Sequence, residues 1–158
     1  MRDAFENVKG QIGCCGIWCG SCAVGNGSLR ELTERLEAVL DSHGAQHWAP
    51  AEMNYPAFSS GLDAIAGAAS CVGCRQGGGR DDCSLRVCSA ERDAADCSDC
   101  VDFAVCPNSE LLGHMRKGAR RADMFVRDPR QGFAGLLPAW IERLKKTWPS
   151  TILFTEYE

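Results

Sequence analysis

Apolar residues recur at helical spacing in several stretches of this chain, separated by glycine, proline and cysteine. The periodicity predicts amphipathic helices over 28–43, 55–69, 83–92, 108–126 and 138–148. Pro56 and Pro138 suit the first turns of the second and the last of these helices. We therefore predict a mainly α fold, in which several short amphipathic helices pack with a small irregular cysteine-rich region.

The first of these helices carries the clearest local signals. Ser28 and Glu31 have the spacing of a capping box at its start, and Gly44 is suited to end it. Its apolar stripe is expected to pack in the core. The stripe consists of Leu29, Leu32, Leu36, Val39 and Leu40.

The two ends of the chain show less regular patterns. We expect residues 1–13 to form a short lead-in, and the β-prone tail over 151–155 either to add a strand to the core or to dock on a partner. No apolar run approaches the roughly 20 residues that cross a bilayer, so we expect no membrane association. We interpret residues 1–158 as a single domain. Its parts are the metal-binding part 14–106, the helical part 108–148 and the apolar tail 149–158.

Eleven cysteines change this picture. Seven lie within residues 71–106 and four within residues 14–22, and two pairs have the Cys-x-x-Cys spacing that places two sulfurs on one tight turn. The stretch 71–106 holds too few large apolar side chains to build a core of its own. We therefore expect bonds between a metal and cysteine thiolates to replace the missing burial.

The cellular compartment decides between metal ligation and disulfides. The N-terminal sequence lacks the apolar segment that a secretory signal needs, so we expect a cytoplasmic protein. Thiols stay reduced in that compartment, and the same spacings then favour metal sites over disulfide bonds.

The cysteines group in more than one way. If cysteines that are close in the chain share a metal, one four-thiolate site would consist of Cys71, Cys74, Cys83 and Cys88. Two triads of cysteines would then complete each other in space, one at positions 15, 19 and 22 and the other at positions 97, 100 and 106. Alternating pairs that share a metal are equally compatible with the spacings. Zn²⁺ is the expected metal and a [4Fe-4S] cluster is the alternative. The candidate ligands are Cys15, Cys19, Cys22, Cys71, Cys74, Cys83, Cys88, Cys97, Cys100 and Cys106; Cys14 has no necessary place among them.

Charge is distributed unevenly along the chain. Residues 1–107 carry 8 Lys/Arg against 15 Asp/Glu, whereas residues 108–158 carry 9 against 6. The basic part has few aromatic residues and the whole chain is acidic, which argues against nucleic-acid binding. Tryptophans and the apolar tail instead indicate a protein partner, and the oligomeric state is left open. The basic helix face, expected to be exposed, consists of Arg116, Lys117, Arg120 and Arg121.

The four cysteine groups, taken in order, resemble the bacterial and archaeal cysteine-rich family catalogued as domain of unknown function 3795. The groups are CGIWCGSC at 15–22, CVGC at 71–74, CSLRVC at 83–88, and CSDC at 97–100 followed by Cys106. The resemblance spans roughly residues 14–148 and implies a zinc-binding domain without an established activity. This chain departs from the pattern by one extra residue before Cys106, by a proline after it, and by the addition of Cys14.

These observations favour a non-catalytic function. A catalytic zinc site commonly uses histidine ligands, but none of His43, His47 and His114 stands beside a cysteine pair. We therefore assign no catalytic residue. We expect a zinc-stabilised binding or accessory module. The alternatives are an iron-sulfur protein that transfers electrons or assists a redox enzyme, and a thiol-based metal carrier or sensor.

Overall fold

Helices connected by long irregular loops make up the structure, a computed structural model that describes residues 2–129 and 131–147. Within those residues there is no strand, and no helix is long and apolar enough to cross a membrane. The predicted mainly α fold is therefore confirmed. The helices are α1 (Arg2–Lys9), α2 (Ser28–Ser42), α3 (Ala45–Trp48), α4 (Tyr55–Ala66), α5 (Ser84–Glu91), α6 (Ser109–Arg121) and α7 (Leu136–Thr147), with 3-10 turns at Cys19–Ser21, Cys74–Gln76 and Phe103–Val105.

The main apolar cluster forms around Trp18, which is fully buried. Its ring stacks on Trp140 of α7 at a centroid distance of 5.9 Å and contacts Phe125 at 5.8 Å and Phe5 at 6.5 Å. The indole N–H donates to the carbonyl of Lys9 at 2.8 Å, so the one polar atom of the side chain is satisfied. Trp18 and Trp140 thus belong to the core, whereas Trp148 and the tail lie outside the described residues.

The predicted N-terminal lead-in is wrong, because residues 2–9 form α1. Phe5 and Val8 lie one helical turn apart and are both buried, and Ile12 is buried after the helix ends. Burial of this stripe against the Trp18 cluster stabilises a helix that is too short to be stable alone.

The leucine stripe of α2 is not in the core, contrary to our expectation. Leu29, Leu32, Leu36 and Val39 are between 39% and 56% exposed. Helix α2 packs along α4, yet these four side chains stay largely open to solvent, and Leu40 is half-buried. The capping box is also absent: Gly27 precedes the helix without a side-chain cap.

Helix α6 ends five residues before the predicted boundary. Asp123 adopts a left-handed conformation with φ of 55°, and the chain then extends so that Val126 bridges to Ile17. The basic face also differs from the prediction, because Arg116 is buried while Lys117 and its neighbours 120 and 121 are exposed. The early end of α6 releases residues 125–127 to run beside the N-terminal cysteines.

Candidate metal centre

The N-terminal cysteines lie on a tight loop that folds back on itself. Ile12 and Trp18 form an antiparallel bridge, and the N–H of Gly13 donates to the carbonyl of Ile17 at 2.8 Å. The turn requires Gly16, whose φ of 82° is unfavourable for other residues. The loop therefore presents Cys14 and the following cysteine at its tip.

Three successive carbonyls at this tip accept hydrogen bonds from donors far away in the chain. Each bond joins the tip to a different segment, so the position of the first cysteines is set by long-range contacts. The carbonyl of Cys14 accepts from the N–H of Cys97 at 2.8 Å, that of Cys15 from Nε of Arg116 at 2.9 Å, and that of Gly16 from the N–H of Arg127 at 2.8 Å.

The first Cys-x-x-Cys turn docks on the same loop. Gln11 Nε2 donates to the carbonyl of Val72 at 3.0 Å, and Arg75 Nε donates to the carbonyl of Ile12 at 2.7 Å. These contacts span about sixty residues of sequence and bring residues 71–74 against residues 11–14.

Five cysteines line one small cavity of about 160 Å³ at this junction. Cys83 and Cys88 are not among its lining residues, so this cavity does not combine the four cysteines that are neighbours in the chain. The first Cys-x-x-Cys pair instead joins the N-terminal triad. The cysteines of the cavity are Cys15, Cys19, Cys22, Cys71 and Cys74.

Glycines make room for these sulfur atoms. A Cβ on Gly13 would lie 3.1 Å from Sγ of Cys74 and 3.7 Å from Sγ of Cys15. A Cβ on Gly78 would lie 2.9 Å from Sγ of Cys71, which is closer than real contacts allow. Side chains at either position would push the thiols apart, so the backbone is shaped around them.

Backbone N–H groups donate hydrogen bonds to two of the five sulfurs. Each such bond favours the thiolate form of the cysteine that accepts it and fixes the direction of its side chain. Cys74 Sγ accepts from the N–H of Cys14 at 3.2 Å, and Cys71 Sγ accepts from that of Gly73 at 3.4 Å. The backbone N–H groups of Ile17 and Cys74 also act to lower the pKa of Cys15 and of Cys19, respectively.

Burial and crowding oppose ionisation of the same thiols. Burial raises the pKa of Cys15 to about 11, and burial together with the neighbouring cysteines raises the pKa of Cys19 to about 12. The pKa of Cys74 is raised as well, chiefly by burial. A cation in the cavity would offset the repulsion among thiolates, so these thiols are suited to bind a metal ion with release of protons.

The remaining candidate ligands are less closely grouped. Cys97 is buried beside Leu85 and Leu112, with Cys83 packed against the same apolar cluster. Burial raises the pKa of Cys97 to about 12, with further contributions from the charges of Cys15 and Cys106. Cys88 is half-buried and raises the pKa of Arg92, and Cys100 is half-buried on the second Cys-x-x-Cys turn.

A buried polar network supports the loop tip, and local sequence patterns hardly indicate it. Arg116 Nη2 donates to Ser98 Oγ at 2.7 Å, and Ser98 Oγ donates to the carbonyl of Arg127 at 2.9 Å. Arg127 Nη1 donates to Asp96 at 2.7 Å and to Asp99 at 2.7 Å, which holds the pKa of Asp99 below its usual value. The only local signal is the order Asp-x-Ser, typical of an Asx turn, which forms here.

The described sulfurs share the cavity without converging on one point. In residues 2–129 and 131–147, no three histidine, cysteine or acidic side chains are arranged so that they hold a metal ion as they stand. All eleven cysteines are free thiols, and the three histidines are exposed and do not line the cavity. Rotation of cysteine side chains would be needed to close a coordination sphere, and the donor set itself fits a thiolate-binding metal.

The sequence profile of a family described as protein of unknown function, DUF3795, matches residues 11–111. The chain belongs to this family. The DUF3795 match includes the N-terminal loop, both Cys-x-x-Cys turns, and the segment between them, so it covers all ten candidate ligands. Comparisons with curated proteins and with solved structures gave no significant match.

Proposed function

We propose that this DUF3795 protein is a zinc-stabilised binding module without catalytic activity. The observation that carries the proposal is the convergence of the N-terminal loop and the first Cys-x-x-Cys turn on one cysteine-lined cavity. Two cysteines of that cavity accept backbone hydrogen bonds, and nearby backbone N–H groups favour the thiolate forms of two more. These four are the ligands we assign: Cys15, Cys19, Cys71 and Cys74.

The donor chemistry supports zinc at this cavity. Zn²⁺ favours four thiolates in tetrahedral array, and hydrogen bonds from backbone amides to the sulfurs orient such ligands. When bound, the ion would supply the positive charge that lets buried thiols ionise together. Cys22 also lines the cavity, and in this assignment it would remain a spare thiol.

The surroundings of the cavity support binding rather than catalysis. None of the described residues that line it is a histidine or a carboxylate, so no side chain there could act as a general base beside the metal. The apolar stripe of α2 is exposed, as is common on surfaces that contact other proteins. The exposed stripe supports an accessory role with a protein partner, and we propose the cytoplasm as the location of the protein.

Metal analysis of the anaerobically purified protein tests the proposal. We expect at least one zinc per chain, no acid-labile sulfide and no visible absorption band. Iron with matching sulfide and a brown colour would overturn the choice of zinc and favour the iron-sulfur alternative. Protein that takes up neither metal would overturn the proposed function.

A matched pair of variants locates the site. Cys19→Ser removes an assigned ligand, and we expect zinc affinity to fall by about 100-fold or more, because structural zinc sites use all four ligands. Cys14→Ser changes a buried thiol outside the five-cysteine cavity and should retain the full zinc content. Equal zinc content in both variants would show that the metal is bound elsewhere.

A further inference from the structure

We propose that Cys14 and Cys74 form a reversible disulfide, and that this disulfide competes with the metal for the sulfur of Cys74. The inference rests on the proposed function, in which Cys74 is a ligand. It assigns a role to Cys14, which the metal site does not need.

Cys74 lies between two cavities. On one side it lines the five-cysteine cavity, and on the other it lines a separate cavity of about 310 Å³ together with Cys14. Cys14 is absent from the lining of the first cavity. A single sulfur is therefore shared between the metal site and a neighbouring thiol.

The two cysteines are in direct contact. The backbone N–H of Cys14 donates to Sγ of Cys74 at 3.2 Å, and both residues line the second cavity. Hydrogen bonds from Cys97 and Arg75 fix the backbone on either side of Cys14. The sulfur of Cys74 is thus held against the backbone of Cys14, and rotation of the two side chains would bring the sulfurs to the bonding distance of about 2.05 Å.

The second cavity is suited to admit an anionic oxidant. Arg75 and Arg86 line it, and both are held by backbone carbonyls: Arg75 Nε by Ile12 at 2.7 Å and Arg86 Nη2 by Gly78 at 2.5 Å. Asp93 contributes one negative charge to the lining against these two positive charges. A small-molecule disulfide that carries carboxylates fits this balance of charge.

The exchange reaction balances without a metal. The thiolate of Cys74 attacks one sulfur of a small-molecule disulfide, whose S–S bond breaks and releases the first small thiol. The thiolate of Cys14 then attacks Sγ of Cys74 in the mixed disulfide and releases the second. Two electrons pass from the protein to the reagent, and the two protons of the protein thiols end on the two released thiols.

Disulfide formation and metal binding exclude each other at Cys74. A sulfur in a disulfide carries no negative charge and cannot serve as a thiolate ligand, whereas a metal-bound thiolate is a poorer nucleophile. Oxidation therefore lowers metal affinity, and bound metal protects the pair from oxidation. The device would make metal content respond to the thiol redox state of the cell.

Peptide mapping of the full chain tests this inference. Metal-free and zinc-loaded protein are incubated anaerobically with oxidised glutathione, free thiols are alkylated, and disulfide-linked peptides are identified by mass spectrometry. We expect a link between Cys14 and Cys74 in the metal-free protein, formed about tenfold more slowly after zinc loading and reversed by dithiothreitol. The oxidised protein should bind zinc at least about tenfold more weakly than the reduced protein.

The variant Cys14→Ser provides the control. It keeps the backbone N–H that donates to Cys74, and we expect normal zinc content but no loss of zinc affinity on oxidation. A link between Cys71 and Cys74 instead, or equal sensitivity in Cys14→Ser, would overturn the inference. Absence of zinc from the reduced protein would refute the proposed function. Absence of the link between Cys14 and Cys74 in the metal-free chain would refute the disulfide, so the two measurements test the two proposals separately.

Discussion

Arg127 places a positive charge where almost no water reaches, and its replacement by methionine tests how the cysteine loops are held. Its side chain is 3% exposed and pairs with Asp96, which is 0% exposed, at 2.7 Å. Methionine fills similar space without the charge, so Asp96 would keep only its hydrogen bond from the Ser98 N–H. Removal of one partner from a buried pair typically costs about 3–5 kcal/mol, and we expect Arg127→Met to lower the free energy of unfolding by that amount.

Urea unfolding followed by circular dichroism at a fixed, saturating zinc concentration measures this loss. The control is Arg120→Met, because Arg120 pairs with Asp128 at a similar distance of 2.8 Å but with side chains 52% and 67% exposed. An exposed pair contributes about 0–1 kcal/mol, so the control should unfold nearly as the parent does. The free energies of the two variants should therefore differ by roughly 3 kcal/mol.

A third variant separates charge burial from simple loss of packing. Asp96→Asn combined with Arg127→Met removes both charges, and the asparagine oxygen can still accept from Ser98. We expect the double variant to regain at least about 1 kcal/mol relative to Arg127→Met alone. Equal losses for Arg127→Met and Arg120→Met, or no recovery in the double variant, would refute the view that a buried charge pair holds this loop.

Three further predictions concern the core, the loop tip and the metal. Trp18→Ala should cost about 3–5 kcal/mol in urea unfolding because Trp18 is fully buried, whereas Trp48→Ala, at a side chain 61% exposed, should cost much less. Gly16→Ala should destabilise the protein by more than about 1 kcal/mol, since φ is 82° and a Cβ would lie 2.7 Å from Arg116. The control Gly118→Ala in α6 should be neutral or stabilising, and the reverse order of the two stabilities would contradict the turn geometry. Chelation of zinc should lower the melting temperature and expose the cavity cysteines to alkylation, and unchanged melting would contradict a structural metal.

The local pattern of the chain was sufficient for most helices. Helix α4 begins at Tyr55 with Pro56 in its first turn, and α5 occupies Ser84–Glu91 within the predicted range 83–92. Helical periodicity and proline placement depend on neighbours within a few residues, so one sequence contains them. The same pattern could not say which apolar face is buried, and the stripe of α2 was assigned to the core in error.

Cysteine spacing alone determined that this chain carries paired thiols on tight turns. The same spacing showed the family pattern that the DUF3795 match confirms. Only the tertiary structure decided which turns meet. The contact of Cys14 with Cys74 and the buried bonds from Arg116 and Arg127 span 60, 101 and about 30 residues of sequence. These contacts join polar groups that are distant in the chain. They form only when the helices pack around Trp18, because burial then requires each polar group to have a hydrogen-bond partner.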